Sequence, residues 1–265
     1  MMKDSNIIIS GRTRVDILNA AYSAGKSGAH IAPSLSDAEI CLSVLMDIND
    51  GVDSFILSKG HGALGYYAAM HQLGMITDEQ FASFESNGGE FPGQPSRSIH
   101  NKIEYSSGSL GMGLPYALGV ALAKKKSNGR VFVIVGDGEL NEGSNWEAAA
   151  LASKYQLNNL IVIVDNNSLQ SDGNCEDIVG QNLSELWAAY GWKVLSCDGH
   201  SISELNNSFS LVHSKKPLVV LAKTTKGKGV SFMENNNAWH HATLKEEDYQ
   251  KALQEIGVTY GLYEE

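Results

Sequence analysis

Hydrophobic positions between about residue 110 and residue 225 follow the pattern of alternating strands and helices. Short runs rich in β-branched residues recur there, and each is followed by a segment with apolar positions at helical spacing. Parallel sheets with crossover helices have this alternation. Strands are predicted over 131–135, 160–164, 192–195 and 218–223, and helices over 112–123, 144–155 and 183–190. The expected fold class is α/β: a three-layer, doubly wound, mainly parallel sheet with helices on both faces.

The first 100 residues have a more helical pattern. Helices are predicted over 12–23, 36–46, 62–73 and 77–85, and a long irregular segment rich in Gly, Pro, Ser and Asn follows over 86–109. Four helix starts have the spacing of a capping box, namely Ser36/Glu39, Thr77/Gln80, Ser144/Glu147 and Ser201/Glu204. Because no linker or repeat divides the chain, we expect residues 1–265 to form a single domain with a functional irregular segment.

Composition and charge narrow the possible classes of protein. The chain has 265 residues, of which 43% are hydrophobic and 19% charged, as expected for a globular protein. Its net charge of -10 argues against general attraction to nucleic acid or to an anionic membrane surface. Cys41, Cys175 and Cys197 are widely spaced and form no CxxC pair, which favours a reducing compartment. No signal peptide or bilayer span is recognisable, so we expect a soluble, cytoplasmic protein.

Polar residues stand at the expected carboxyl ends of two consecutive strands, Gly136-Asp137-Gly138 after the first and Asp165-Asn166-Asn167 after the second. Open α/β sheets bind ligands at these ends. Asp137 and Asn167 offer oxygen ligands suited to magnesium, with the carbonyl of Leu169 as a third, and the glycines let backbone approach an anion. Either motif alone is more often a turn. Their separation of thirty positions (167 − 137) fits one strand–helix–strand unit and favours a metal and diphosphate site.

The pair resembles the thiamine diphosphate signature, which opens with Gly-Asp-Gly and closes with Asn about thirty residues later. Further segments extend the resemblance over most of the chain, and specifically to transketolases. The matching segments are Ser27-Gly28-Ala29-His30, Ser58-Lys59-Gly60-His61-Gly62, Gly108-Ser109-Leu110-Gly111-Met112-Gly113, Gly136-Asp137-Gly138-Glu139-Leu140-Asn141-Glu142-Gly143 and Trp239-His240. Five ordered motifs at sensible separations are highly specific.

The resemblance implies thiamine diphosphate and a divalent cation, Mg²⁺ or else Ca²⁺ or Mn²⁺, as cofactors. It implies that His61 contacts the diphosphate and the donor sugar. It also implies that His30 acts as an acid or base on the substrate side. His240, rather than the neighbouring His241, matches the late histidine of split transketolases. A solvent-exposed loop histidine is the ordinary alternative for His30, and a buried structural histidine is the alternative for His61. For His240 and His241 the alternative is a mobile loop.

Three further roles follow from the same resemblance. The backbone of Gly108 would face the aminopyrimidine of the cofactor, and Leu110 would pack near its rings. Glu142 matches a glutamate at the subunit interface that joins a proton network linking active sites. Alone, the first two would indicate only a glycine-rich helix start, and Glu142 only a solvated carboxylate.

One departure from the family pattern lies in the irregular segment. Transketolases usually have Pro-Gly-His-Pro, with a histidine that holds the donor's C1 hydroxyl, whereas this chain has Pro92-Gly93-Gln94-Pro95. An amide still donates and accepts hydrogen bonds, but it does not change charge near neutral pH. The stretch Ser96–Glu104 also differs from the usual pattern. We expect Gln94 to orient a substrate hydroxyl and the donor preference to differ from the common pentose phosphates.

The expected activity is transfer of a two-carbon ketol unit from a ketose, such as a sugar phosphate, to an aldose or aldehyde. In transketolases the glutamate that activates the aminopyrimidine belongs to a following domain, and this sequence stops at Glu265. We therefore expect a separate C-terminal transketolase-like subunit that supplies this glutamate. The pair would form a hetero-oligomer, for example two of each chain, and the isolated chain would be inactive.

Alternatives of two kinds stay open at this stage. One is a related thiamine diphosphate enzyme, of the deoxyxylulose-phosphate synthase or ketoacid dehydrogenase kind. The other is a protein without catalysis of its own, either a nucleotide-binding module on a doubly wound sheet or a degenerate structural partner. Stabilisation by thiamine diphosphate with magnesium, rather than by NAD or ATP, would separate the enzymes from the nucleotide-binding module.

Overall fold

The computed structural model describes residues 2–127, 129–211 and 215–262. Within them, five strands form one sheet in which every pairing is parallel. The strands are β1 (Ser54–Leu57), β2 (Val131–Gly136), β3 (Leu160–Asn166), β4 (Lys193–Asp198) and β5 (Leu218–Lys223). Their spatial order is β1-β2-β3-β5-β4, so β1 and β4 are the edges and β3 is central.

Helices cover both faces of this sheet. The first face carries α1 (Met2–Ser23), α2 (Ile31–Asp47), α3 (Ala63–Gln72), α9 (Ile202–Phe209) and α10 (Glu246–Thr259), and the second carries α5 (Gly113–Lys124), α6 (Gly143–Lys154) and α8 (Leu183–Ala189). Two short helices, α4 (Asp78–Phe81) and α7 (Cys175–Ile178), lie in connecting segments. The predicted three-layer α/β fold is confirmed.

Alternation along β2 shows how the sequence builds two cores on one sheet. Phe132 and Ile134 pack into the core beneath α1 and α2, whereas Val131, Val133 and Val135 pack into the core beneath α5 and α6. Successive side chains of a strand point to opposite faces. A strand covered on both faces therefore needs an unbroken apolar run, and all six residues of β2 are buried.

The predicted strands agree with β2 to β5, and the one strand that the sequence pattern missed is β1. It has only four residues, Ser54 to Leu57, and stands in the region that we interpreted as helical. The predicted helix over 77–85 is also shorter in the structure, where α4 ends at Phe81. Both differences concern single-turn or four-residue elements, for which apolar periodicity carries little information.

Two of the four predicted capping boxes are wrong. Helix α6 begins at Gly143, so Ser144 lies inside it, and its hydroxyl donates to the carbonyl of Gly111 at 2.7 Å. Helix α2 begins at Ile31, so Ser36 lies within the second turn, and its hydroxyl donates to Asp165 at 2.7 Å. Both serines therefore form tertiary hydrogen bonds and do not cap a helix.

The irregular segment 86–109 contains no helix or strand among its residues, all of which the structure describes. Part of it folds back on itself as a hairpin, which we call the 95–107 hairpin. Ser107 donates its backbone N–H to Pro95 at 3.0 Å, and Ser98 and Ile103 exchange backbone hydrogen bonds at 2.9 and 2.8 Å. The two ends of the hairpin thereby bring residue 94 close to residue 108. No helix in the described part of the chain is long and apolar enough to cross a membrane.

Candidate active site

The residues that the sequence analysis singled out converge on a cavity of about 110 Å³ at the carboxyl ends of β2 and β3. Eight of them line it: His61, Leu110, Gly136, Asp137, Gly138, Asn167, Leu169 and His240. They come from five separate segments of the chain. Parallel strands end at one edge of the sheet, so residues far apart in sequence meet there.

Asp137 and the loop after β3 are joined directly. The carboxylate of Asp137 accepts hydrogen bonds from the backbone N–H of Gly138 and of Ser168, the residue between Asn167 and Leu169. The side-chain oxygen of Asn167 accepts from the N–H of Leu169 at 3.0 Å. Asp137, Asn167 and Leu169 all line the same cavity. This set of oxygen donors suits Mg²⁺ or Ca²⁺.

Burial and a neighbouring carboxylate both act on Asp137. Burial is the larger cause and Asp165 the second, and together they raise the pKa of Asp137 to about 6. A divalent cation would reverse this effect by stabilising the carboxylate. Among the described residues, no group of three or more His, Cys, Asp or Glu side chains could hold a metal ion. A cation site in this part of the chain would therefore use Asp137 with amide, carbonyl and ligand oxygens.

Glycines shape the wall of the cavity. A Cβ added at Gly136 would meet its nearest non-neighbouring protein atoms only at 3.9 Å, so this glycine leaves open space beside the cavity. At Gly138, an added Cβ would lie 2.7 Å from Cγ of Gln170. The first glycine therefore matters for an approaching ligand, and the second for packing against the loop after β3.

Four histidines form a cluster at the mouth of the cavity. The ring of His30 lies 6.1 Å from that of His61, 5.4 Å from that of His240 and 4.6 Å from that of His241. His61 and His240 lie 5.4 Å apart. His61 and His240 line the cavity, whereas His30 and His241 belong to the cluster but lie outside the cavity.

Burial is the main cause of the low pKa values in this cluster. It lowers the pKa of His30 to about 4 and that of His240 to about 3, with further contributions from Lys226 and Lys59. The pKa of buried His61 is also well below its ordinary value. The three imidazoles are therefore neutral at pH 7, and each can accept a hydrogen bond or proton on one nitrogen and donate through the other.

Gln94, Gly108 and Glu142 lie outside the cavity. A Cβ added at Gly60 or Gly108 would lie 2.5 or 3.1 Å from Oε1 of Gln94, which places the amide between the two glycines. Gly108 has a φ of 145°, which side-chain-bearing residues rarely adopt. Glu142 is exposed at the N-terminal end of α6, with its Cβ against Gly111. Their predicted roles stay predictions.

The sequence stretch Ser96–Glu104, whose departure from the family pattern we related to donor preference, lies elsewhere. Six of its residues, Arg97 to Ile99 and Lys102 to Glu104, line a different cavity beside β1. None of the stretch lines the candidate active site. An effect of this stretch on substrate choice would therefore be indirect, through the ends of the 95–107 hairpin, which lie next to Gln94 and Gly108.

A buried ion pair in the wall of the cavity, between Lys59 and Asp165, escaped the sequence analysis. Nζ of Lys59 donates to the carboxylate of Asp165 and lies 3.0 Å from Oδ2 of Asp37, and all three side chains are buried. Although burial alone would lower it, the two carboxylates raise the pKa of Lys59. Ser36 connects this pair to the site, because it donates to Asp165 and accepts from Nδ2 of Asn167 at 3.1 Å.

Glu139 and Lys226 are two further residues that the sequence analysis missed. Buried Glu139 accepts hydrogen bonds from the N–H groups of Gly111 and Gly136, at 2.9 and 3.1 Å, and so ties the Gly108–Gly113 loop to β2. Lys226 lines the cavity, and burial, with Lys59 as the second cause, lowers its pKa to about 8. For Glu139 the available signal was its position inside a matching motif, next to Asp137, whereas Lys226 lies outside the matching segments.

Comparison with known proteins agrees with this geometry. Residues 47–263 match the family described as "Transketolase, thiamine diphosphate binding domain". The chain is 39% identical over 258 residues to one subunit of the apulose-4-phosphate transketolase of Actinobacillus succinogenes, covering 92% of each protein. It is 36% identical over 247 residues to one subunit of the 6-deoxy-6-sulfo-D-fructose transketolase of a Clostridium species, covering 88% of this chain and 90% of the relative. The chain belongs to the transketolase family and comprises its thiamine diphosphate-binding domain.

Longer transketolases contain the same domain as one part. Human transketolase is 32% identical over 263 residues, which is 93% of this chain but 41% of the human protein. The crystal structure of transketolase from Campylobacter jejuni superposes with a TM-score of 0.82 at 28% identity, covering 95% of this chain and 43% of that one. The chain thus corresponds in length to the two bacterial subunits, and to less than half of the longer enzymes.

Proposed function

We propose that this chain is the diphosphate-binding subunit of a two-chain transketolase, which transfers a two-carbon ketol unit between an anionic ketose and an aldehyde. The observation that carries the proposal is the convergence of Asp137, Asn167, Leu169 and His61 on one cavity. Its supports are family membership and the two relatives whose names describe subunits of enzymes acting on a sugar phosphate and a sulfosugar.

The residues present fit thiamine diphosphate with a divalent cation. Asp137, Asn167 and the carbonyl of Leu169 would hold the cation, and Lys226 and His61 would face the diphosphate. The cavity of about 110 Å³ is smaller than the ~300–1,000 Å³ of sites that enclose a whole ligand. It therefore suits the diphosphate end alone, and the rings of the cofactor would have to be covered by another chain.

When bound, the cofactor supplies a thiazolium carbon that adds to ketones and stabilises the resulting carbanion. The chain's own residues would bind and orient the substrate. His30 and His61, both neutral at pH 7, would accept and return protons at the hydroxyls of the sugar, since a neutral imidazole has both a donor and an acceptor nitrogen. Gln94 would form a hydrogen bond with a substrate hydroxyl, and its amide would stay uncharged. Lys226 would favour an anionic substrate.

An apolar surface beside the cavity supports the existence of a partner chain. Leu110, which lines the cavity, is 38% exposed, and Met112 next to it is 49% exposed. On the adjacent α6, Leu151 is 42% exposed, and Tyr155 at its end is 43% exposed. Exposed apolar side chains of this kind are common at protein interfaces. A second chain that completed the cofactor site would cover Leu110 and Met112, and an interface that extended along α6 would also cover Leu151 and Tyr155.

Thermal unfolding and calorimetric titration with thiamine diphosphate and MgCl₂ test the proposal. For the full chain with its partner, ligand at 100 times its Kd should stabilise the folded state by about 2.7 kcal/mol. Asp137→Asn should remove the magnesium-dependent part of this stabilisation, because an amide holds a divalent cation less well than a carboxylate. Asp172→Asn is the matched control, since Asp172 is exposed and lines no part of the cavity.

Two results would contradict the proposal. One is unchanged magnesium-dependent binding in Asp137→Asn; the other is stabilisation by ATP or NAD with no response to thiamine diphosphate. The latter would favour the nucleotide-binding module instead. A co-crystal structure provides a second test, in which a metal ion should contact both Asp137 and Asn167.

A further inference from the structure

A cavity of about 680 Å³ lies beside β1, at the opposite end of that strand from the candidate active site. We call it the β1 cavity. Its walls come from the end of α2 and the loop after it, from β1, α3 and α5, and from the 95–107 hairpin. Leu45, Phe55, Leu73 and Ile103 give it an apolar lining. Its volume lies within the ~300–1,000 Å³ typical of small-molecule sites, and the proposed ketol transfer makes no use of it.

The hydroxyl of an otherwise buried tyrosine lies in the wall of the β1 cavity. Tyr66 is 4% exposed and lines the cavity, with its ring edge-on to Phe55 at 4.8 Å. Among the described residues, none forms a hydrogen bond with this hydroxyl. The hydroxyl oxygen is nevertheless not among the fully buried side-chain atoms that lack a partner, so it is accessible from the cavity. A hydroxyl or other polar atom on a ligand in the cavity would pair with it.

The charged residues that line the cavity balance, with Arg97, Lys102 and Lys124 against Asp50, Asp53 and Glu104, whereas the whole chain carries -10. Lys102 pairs with Asp50, and Asp53 pairs with Arg130. Of the remaining lining residues, Arg97 and Lys124 are cations and Glu104 is an anion. Arg97 has no ion-pair partner among the described side chains. A guanidinium at the mouth of an apolar cavity is suited to a carboxylate.

The mouth of the cavity is also incompletely covered by the protein itself. Ile99, at the tip of the hairpin, lines the cavity and yet is 83% exposed, and Met75, which follows α3 and also lines the cavity, is 41% exposed. A ligand between these two side chains would bury them. Exposed apolar side chains around a cavity are typical of binding sites.

We propose that the β1 cavity binds a small organic carboxylate with a hydroxylated apolar body, whose carboxylate meets Arg97 and whose hydroxyl meets Tyr66. A protein segment as occupant is the alternative that the experiments below test. The proposal that this cavity binds a ligand does not depend on the proposed ketol transfer.

The 95–107 hairpin connects this cavity to the candidate active site. Arg97, Ile99 and Ile103 in the hairpin line the β1 cavity, and the residues that flank it are Gln94 and Gly108. Its closing hydrogen bond, from Ser107 to Pro95, lies next to both of them. A ligand that moves the hairpin would therefore move the amide of Gln94. This coupling, which rests on the proposed function, would make the carboxylate a modulator of ketol transfer.

Calorimetric titration of the full chain with three probes tests the binding site: 3-(4-hydroxyphenyl)propionate, 3-phenylpropionate and tyramine. The first should bind about fivefold more tightly than the second, because only it can pair with Tyr66. It should also bind more tightly than tyramine, which replaces the carboxylate with an ammonium group. Equal binding of the acid and the amine, or no binding of any probe, would overturn the proposal.

Two variants assign the contacts to residues. Tyr66→Phe should weaken 3-(4-hydroxyphenyl)propionate about fivefold and leave 3-phenylpropionate unchanged, and it should fold normally because the hydroxyl has no partner to lose. Arg97→Gln should weaken both acids about fivefold without weakening tyramine. Tyr22→Phe and Arg12→Gln, at exposed positions outside the cavity, are the matched controls. Losses of equal size in the controls would contradict the assignment.

Amide hydrogen exchange distinguishes the coupling from the proposed function, because it requires no activity. Saturation with 3-(4-hydroxyphenyl)propionate should slow exchange in peptides that contain Ser107 and Gly108. Unchanged exchange there, with binding intact, would contradict the coupling alone. If the chain in complex with its partner no longer takes up the probe, the cavity is a protein interface, and the ligand proposal is wrong.

Discussion

The amide of Gln94 lies between Gly60 and Gly108, where most transketolases would place an imidazole. Both groups can hold a hydroxyl, but only the imidazole can change charge near pH 7. Gln94 therefore keeps a fixed, neutral charge at a position where the family pattern has a titratable group.

Gln94→His tests whether this position sets donor preference. In the complex with the partner chain, we expect a change of about tenfold or more in the ratio of kcat/KM values between two ketose donors, because a donor hydroxyl would meet a different partner. The measurement is kcat/KM over a panel of ketose phosphates. Gln72→His, on the end of α3 away from the cavity, is the control. An unchanged ratio would show that Gln94 does not set donor preference.

Single residues also show what a sequence can and cannot predict about the site. The glycine, aspartate and histidine motifs predicted which residues meet, because each motif has a local signature. Lys59 and Asp165 were missed, although they lie within or next to those motifs. Their ion pair joins positions 106 apart (165 − 59), and nothing in either segment alone predicts it. Long-range pairing of buried charges needs the fold before it can be recognised.

Among pairs of elements, α1 and α2 are joined by a buried ion pair. Arg14 on α1 donates from both terminal guanidinium nitrogens to Glu39 on α2, at 2.9 Å for the longer contact, and both side chains are buried. Burial opposes ionisation of Glu39, but Arg14 and then His200 outweigh it and lower the pKa of Glu39 to about 2. The pair therefore holds the two helices in register below the candidate active site.

Glu39→Gln should lower the free energy of unfolding by about 3 kcal/mol at pH 7, because it leaves the charge of Arg14 buried without a counter-ion. The folded pKa of Glu39 lies below its ordinary value of 4.5. The contribution of the pair is therefore complete above pH 4.5 and is lost as pH falls toward 2. Urea unfolding between about pH 7 and pH 3 should show a weaker acid dependence in Glu39→Gln than in the unmodified chain.

Glu79→Gln is the control for this prediction, since Glu79 is exposed on the surface of α4. It should change the unfolding free energy by less than ~0.5 kcal/mol. An equal loss in both variants, or an unchanged acid dependence in Glu39→Gln, would show that the buried pair does not contribute as argued.

Helix starts illustrate the limit of sequence prediction for whole elements. The boxes at Thr77 and Ser201 form helix caps in the structure. The equally good spacings at Ser36 and Ser144 lie inside helices, where both serines make tertiary hydrogen bonds. A capping pattern reports only local preference, and packing decides whether the helix extends past it.

At the scale of the whole molecule, the apolar runs predicted four of the five strands in the described part of the chain. The interior strands β2, β3 and β5 have continuous apolar runs and were identified, and so was the mostly half-buried edge strand β4. The edge strand β1 has four residues and was not. Its partner on the open side is the irregular segment, since Glu104 accepts the backbone N–H of Phe55 at 3.3 Å. Such pairing by a loop side chain leaves no periodic signal.

On the proposed function, the chain supplies only part of a cofactor site, and this leads to a prediction about activity. Its cavity suits the diphosphate end, and Leu110 and Met112 beside it are exposed. We expect the isolated chain to transfer ketol units at least about 10³-fold more slowly than the chain with its partner, because the group that activates the aminopyrimidine would be missing. The measurement is initial rate against added partner chain at saturating thiamine diphosphate and Mg²⁺, with a saturable increase expected.

Leu151→Asp provides the matched test of the surface itself. Leu151 is 42% exposed and does not line the cavity. A charge there should weaken partner binding about tenfold or more, because an unpaired carboxylate would have to be desolvated at the interface. The fold should be retained, and activity should return at high partner concentration. Val258→Asp, on the exposed face of α10, should behave as the unmodified chain does. Full turnover by the isolated chain would contradict the argument, since it would require all catalytic groups to lie within these 265 residues.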